Sequence, residues 1–311
     1  MKLLRPLVFA ALAAFALPAL AGGTVLDPAK LRLKSQSVLI IDPASNETIY
    51  AKSADDVTPI ASITKLMTAM VVLDAHPDLD ATITIDREDF DFLKGSRSRL
   101  GMGTELSRRE LLQLALMSSE NRAASALARS YPGGTDAFVA AMNAKALALG
   151  MTHTSFRDST GLSPQNVSTA NELAKMVNAA ATYPMIREFT TTQSHFVEVQ
   201  PTGRILGFNN SNRLVKSGSW DIKLQKTGFI NEAGRCLVMM AEIASKPMVI
   251  VLLDSVGSYT RLADANRVKY WLETGGALAV AKAAPILHAK KTKHASKSTR
   301  ATPVALRKSA R

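Results

Sequence analysis

The chain has one cysteine, Cys236, in 311 residues. That excludes an intramolecular disulfide framework and a thiolate metal cluster. Aromatic residues make up only 5%, too few for a stacking surface that grips single-stranded nucleic acid. The five histidines (His76, His153, His195, His288 and His294) form no H-E-x-x-H or comparable ligand pair. No metal and no other cofactor is expected. Acidic residues are absent from Lys282 to Arg311, a stretch that carries nine Lys or Arg. A long spanning segment is lacking too: the apolar run Pro6–Leu20 is 15 residues, broken by Pro18, against the roughly 20 needed to cross a bilayer.

What is present is ordinary globular material, 47% apolar and 21% charged, so wholesale disorder is excluded. The net charge of +12 resolves once it is located. Two charges fall in the first 21 residues and nine in the last 30, leaving +1 for residues 22–281. The basicity belongs to an appendage and does not mark a nucleic-acid binder. Lys2 and Arg5, the apolar run and Ala19-Leu20-Ala21 form a cleavable secretory signal. The expected organisation is a signal over 1–21, a linker over 22–34, one domain over 35–275, and a basic disordered tail over 276–311. The tail is a candidate contact for anionic envelope material or simply a solvating segment.

Short β-rich runs, Ser37–Ile41 and Thr48–Lys52, flank D-P-A-S-N-E and predict a hairpin. Helical spacing follows over Ser62–Ala75, Ser107–Met117 and Thr135–Leu149, with Gly150 as a stop. Strand patterns return at Asp221–Lys226, Arg235–Ile243 and Pro247–Asp254, and Ser258–Glu273 closes as an amphipathic helix. The expected class is α+β: an antiparallel sheet of about five strands from both chain ends, flanked by helices, with a mainly helical lobe inserted. An active site belongs in the cleft between them.

Three short motifs carry chemistry. In Ser62-Ile63-Thr64-Lys65 the amine lies one helical turn from the hydroxyl, and the apolar helix that follows makes a buried lysine costly unless it is neutral or partnered. In Ser119-Glu120-Asn121 a hydroxyl and an amide stand two residues apart, placed on a loop. In Lys226-Thr227-Gly228, at the end of a strand, an edge can receive an extended peptide, two side chains can meet a carboxylate, and the glycine permits close approach. Each motif alone is weak: a capping serine, a helix cap and a strand-to-turn sequence explain them equally well.

Together, and in this order, S-x-x-K, S-x-N and K-T-G are the set of serine β-lactamases and penicillin-binding proteins. The strings A-S-I-T-K-L-M-T-A-M-V, L-M-S-S-E-N-R-A-A, T-G-L-S-P-Q-N-V-S-T-A and K-T-G-F-I-N-E-A-G-R-C-L-V resemble low-molecular-mass penicillin-binding proteins of the D-alanyl-D-alanine endopeptidase type. These are serine D,D-peptidases of the D-Ala-D-Ala carboxypeptidase family with the serine β-lactamase/D,D-peptidase fold. The resemblance implies that Ser62 is acylated, Lys65 is its base and Ser119 relays protons. It implies that Asn121, Lys226, Thr227, Gly228 and Phe229 bind substrate, with the Ser62 and Phe229 backbone N–H groups as oxyanion hole. Asp158–Leu162 and Asn210–Leu214 are assigned structural roles. The implied substrates are peptidoglycan cross-links, with β-lactams as covalent inhibitors. The implied location is the periplasm, as a soluble or peripherally associated enzyme. Carboxypeptidase action by the same residues is the alternative. A class A β-lactamase would need a further carboxylate, for which Asn171-Glu172-Leu173 is only a partial match. A non-catalytic envelope-binding protein would not need all three motifs intact.

Overall fold

The structure is a computed structural model that describes residues 26–276 except 93. The expected signal over 1–21 and the basic tail beyond Gly276 lie outside the described residues.

Strands β1 (Ser35–Asp42) and β2 (Glu47–Lys52) form the predicted hairpin. After the two-residue β3 (Thr58–Pro59), a 3-10 turn over Ala61–Thr64 leads into helix α1 (Lys65–Asp74). Short β4 (Thr82–Thr84) pairs with β5 (Glu105–Ser107) ahead of α2 (Arg108–Met117), α3 (Asn121–Arg129) and α4 (Gly134–Ala148). The two-residue β6 (Val167–Ser168) pairs with β3, and α5 (Ala170–Ala180) and α6 (Pro184–Thr191) complete the lobe. A hairpin of β7 (Ser194–Val199) and β8 (Arg204–Asn209), not anticipated above, precedes β9 (Asp221–Ile230), β10 (Gly234–Ile243), β11 (Lys246–Ser255) and α7 (Thr260–Thr274).

The central sheet runs β2-β1-β11-β10-β9, every neighbour antiparallel. The N-terminal strand thus lies inside a sheet built mainly by the C-terminal third. Its apolar runs are continuous because both faces are covered. Leu39, Ile41, Val249, Val251 and Leu253 pack with the helical lobe. Val38, Ile40, Ile250 and Leu252 pack instead with Ala265, Val268 and Trp271 of α7. Trp271 is fully buried, meets the Tyr50 ring edge-on at 6.2 Å and donates its indole N–H to the Asp27 carbonyl at 2.9 Å. Truncating it to Ala would cost about 3–5 kcal/mol. The α7 carboxylate of Asp264 accepts from the Lys34 and Ser35 amides, at 3.0 and 2.8 Å, and so fixes where β1 begins.

Two local features place the site. Strand β9 is an edge strand, and it runs on past the expected end at Lys226 to Ile230. The K-T-G segment is therefore inside the strand, paired with Val238, Leu237 and Cys236 of β10. The S-E-N segment is the junction of two helices and not a free loop. A reciprocal Ser107/Glu110 box caps α2 at its start, α2 ends at Met117, and Glu120 caps α3, of which Asn121 is the first residue. Between the helices Ser119 has φ of +64°, a left-handed conformation that costs a non-glycine residue about 1 kcal/mol or more and persists where surrounding structure enforces it.

Candidate active site

The turn that carries Ser62 is clamped by two glycines. Ala61, just before the serine, has φ of +48°. A Cβ on Gly161, at φ +82°, would stand 2.0 Å from the Ala61 carbonyl oxygen. A Cβ on Gly228 would stand 3.1 Å from the Ser62 nitrogen and 2.9 Å from the Ile60 carbonyl oxygen. Glycine at both positions lets the D-S-T-G-L segment and strand β9 close on the serine from two sides. Asn166 ties the same turn down: its carbonyl accepts from the Ile60 amide at 3.0 Å and its side-chain amide donates to Thr64 Oγ1 at 3.0 Å.

Beneath the turn, Lys65 is fully buried at the start of α1. Its Nζ donates to Ser62 Oγ at 3.0 Å, Asn121 Oδ1 at 2.7 Å and the Thr160 carbonyl at 2.6 Å. Asp158 sets that carbonyl by accepting from the Thr160, Gly161 and Ser163 amides at 2.6, 2.6 and 2.8 Å. Burial pulls the Lys65 amine down to about 7, against the upward pull of the Asp158 and Glu120 charges. A neutral amine within hydrogen-bond reach of a serine hydroxyl is an activated-nucleophile arrangement.

Lys226 is also fully buried. Its Nζ donates to Ser119 Oγ at 2.8 Å and to the Thr227 carbonyl at 2.9 Å. Burial first, and then the Lys65 and Arg261 charges, hold it well below the usual lysine range. Two lysines thus sit behind two serines, one pair on each wall. Thr227 Oγ1 donates to Ser211 Oγ at 2.7 Å. Arg261, at the start of α7, donates to the Gly228 and Cys236 carbonyls at 2.8 and 3.1 Å, while its Nε is buried with no hydrogen-bond partner.

The walls enclose a cleft of about 270 Å³ lined by Ser62, Ser119, Asn121, Thr227, Gly228 and Phe229, with Lys65 and Lys226 buried behind it. All eight residues singled out from the sequence converge there. The lysine of K-T-G is turned toward Ser119 and not into the open cleft. Ser96, Leu162, Ser211 and Arg261 line the cleft as well and were not anticipated. Ser211 lies in Asn210–Leu214 and Thr160 in Asp158–Leu162, segments expected to be structural only. Both supply atoms to the site. Arg261 stands 33 residues from Gly228, and no local pattern announces it. Glu172 does not line the cleft. It is buried in α5, accepting from Thr154 Oγ1 at 2.6 Å and the His153 amide at 2.9 Å. Cys236 is buried and its thiol is pushed up to about 11 by that burial. Among the described residues no group of three or more His, Cys, Asp or Glu side chains is placed to hold a metal ion.

Comparison with known proteins places the chain in a family. The peptidase S11 family, D-alanyl-D-alanine carboxypeptidase, matches residues 24–257. A D-alanyl-D-alanine endopeptidase of Pseudomonas aeruginosa is 48% identical over 257 residues, covering 83% of each chain. One from Escherichia coli is 48% identical over 252 residues, covering 81% of each. Among solved structures, the Streptomyces K15 DD-transpeptidase superposes with a TM-score of 0.72 at 29% identity, covering 78% of this chain and 97% of that one. A D-alanyl-D-alanine carboxypeptidase from Mycobacterium tuberculosis superposes with a TM-score of 0.70 at 26% identity, covering 81% and 94%. The chain belongs to the D-alanyl-D-alanine carboxypeptidase family of serine peptidases and is a serine D-Ala-D-Ala peptidase of that fold.

Proposed function

We propose that the protein cleaves D-Ala–diaminopimelate cross-links of peptidoglycan through a Ser62 acyl-enzyme. The observation that carries this reading is the 3.0 Å contact between Ser62 Oγ and the buried Lys65 amine. Neutral Lys65 takes the Ser62 proton as Oγ adds to the D-Ala carbonyl. The oxygen that becomes negative is received by the Ser62 and Phe229 amides, each such donor worth about 3–4 kcal/mol in acyl transfer. The tetrahedral adduct collapses, the C–N bond breaks, and the leaving amine takes a proton through Ser119, which Lys226 backs at 2.8 Å. Water then adds to the ester and restores Ser62. Thr227 and Arg261 face the carboxylate beyond the scissile bond, and Asn121 holds the Lys65 amine and the acyl side of the substrate. β-Lactams enter the same steps and stop at the ester.

Endopeptidase action is preferred because both relatives at 48% identity carry that name. Carboxypeptidase action would use the same residues. Export to the periplasm follows from the signal-like residues 1–21, and among the described residues no helix is long and apolar enough to cross a membrane. The basic tail either contacts anionic envelope material or only solvates the enzyme, and loss of binding to cell-wall sacculi on truncation after Gly276 would mark the first. Digestion of a purified muropeptide dimer, with monomer products resolved, together with fluorescent-penicillin labelling of the wild type and Ser62→Ala, tests the reading. Dimer cleavage and labelling by the wild type alone are expected. A covalent adduct in Ser62→Ala would overturn the assignment, and release of D-Ala without dimer cleavage would replace the bond preference.

A further inference from the structure

Beside the catalytic cleft lies a larger cavity of about 480 Å³. The two share the α2–α3 junction as a wall: Ser119 and Asn121 face the cleft, Ser118 and Glu120 the second cavity. They also share the segment before Leu100, with Ser96 on the cleft side and Arg97, Ser98 and Arg99 on the other. Of the second cavity's charged groups the catalytic scheme uses only the field of Glu120 on Lys65, and neither arginine.

Its chemistry has two signs. Arg97 is exposed and makes no hydrogen bond or ion pair among the described residues. Arg99 is held in place, its guanidinium 5.1 Å from the Phe208 ring and one Nη donating to the Gly207 carbonyl, which leaves its other N–H groups for a ligand. On the same cavity Glu120 is 8% exposed and caps α3 by accepting from the Arg122 amide at 3.3 Å. Burial pushes its carboxyl up, against weaker hydrogen-bond and charge contributions. The Ser98 hydroxyl, the Arg122 amide and the Lys65 and Arg122 charges favour its anion, and the carboxylate lines the cavity. A ligand that presents both a carboxylate and an ammonium would satisfy both sides.

The substrate carries such a group. In a D-Ala–diaminopimelate cross-link the acceptor's side-chain amine is consumed by the bond. The donor stem, whose D-Ala becomes the acyl group on Ser62, keeps its own diaminopimelate terminus, with ammonium and carboxylate on one carbon, one residue from the scissile bond. We propose that the second cavity is the subsite for this zwitterionic terminus, with Arg97 and Arg99 on its carboxylate and Glu120 on its ammonium. This rests on the D,D-peptidase reading and adds to it the recognition of the donor stem.

The test pairs a protein change with a substrate change. Wild type and Arg97→Ala are each given a muropeptide dimer with a free donor terminus and the same dimer amidated at that carboxylate. Benzylpenicillin, which lacks the group, serves as the acylation control. For Arg97→Ala, kcat/KM on the free dimer is expected to fall about tenfold or more, the scale of a lost charge-assisted hydrogen bond. Amidation should cost the wild type a similar factor, cost Arg97→Ala little, and leave penicillin acylation of both proteins within about twofold. Wild-type efficiency of Arg97→Ala on the free dimer would overturn the subsite, as would an equal loss on both dimers. Indifference of the wild type to amidation overturns it without any variant. A wild type that neither binds penicillin nor cleaves either dimer would overturn the peptidase reading itself, a result distinct from these.

Discussion

Acylation by penicillin should rise with pH along a one-proton curve centred near 7. The reasoning starts from the buried Lys65 amine, lowered from 10.5 to about 7 by desolvation. At the ordinary value only about one lysine in 3,000 is neutral at pH 7; at a value near 7 it is about half. The neutral form is the one that accepts the Ser62 proton. The second-order acylation rate should therefore fall about tenfold per pH unit well below 7 and level off about one unit above it. Asp158 and Glu120 pull the amine upward. Glu120→Gln removes one of these anions and should move the curve to lower pH. Lys65→Arg supplies a permanent cation that cannot take the proton, so its rate should be very low at every pH. Labelling time courses with fluorescent penicillin from about pH 5 to 9 give the profile. A flat wild-type profile, a rate that falls as pH rises, or near-normal acylation of Lys65→Arg would refute Lys65 as the base.

Gly161→Ala would force a Cβ to within 2.0 Å of the Ala61 carbonyl at φ +82°. Chemical denaturation should show a loss of about 2 kcal/mol or more, and labelling should fall with it. Gly161→Ala with wild-type stability and labelling would mean that the clamp on the nucleophile turn is dispensable. Thr227→Val keeps shape but removes the hydroxyl that bonds Ser211 at 2.7 Å. Its acylation efficiency should drop clearly for substrates with the terminal carboxylate and less for amidated analogues. Equal losses would point to a structural defect in strand β9.

The legible parts of the fold were those fixed by local pattern. The apolar run of β1 reads as a strand at any depth, and Gly150 after an alanine-rich stretch stops α4 as a left-handed residue, φ +69°. The β7–β8 hairpin is hard to see in the sequence although its period of two is present. Val197, Val199, Leu206 and Phe208 are buried, while Phe196 and Ile205 on the other face are exposed. Apolar residues on both faces blur the alternation. The α2–α3 junction reads as a loop in the sequence because a nine-residue helix capped by glutamate gives a weak start signal. The positive φ of Ser119 has no sequence signature, since it is imposed by the two helices around it.

The chemistry of the site was more legible than its recognition elements, and the reason is physical. A proton-transfer pair must be within hydrogen-bond reach, and a helical turn supplies that reach in three residues, so Ser62 and Lys65 are bound to be close in the chain. A carboxylate or an ammonium of the substrate can be met from any wall. Of the residues proposed to meet them, Arg261 comes from α7, Ser211 from the segment after β8, and Arg97 and Arg99 from the segment before β5, each brought to its place by tertiary packing alone. Carboxypeptidase and endopeptidase action share the first kind of residue. What separates them is the part of the substrate beyond the reacting atoms, which only the second kind can touch. Only the group beyond the scissile bond differs between the two actions, whereas the donor stem proposed for Arg97 and Arg99 is common to both, so bond preference turns on the side chains around the leaving group.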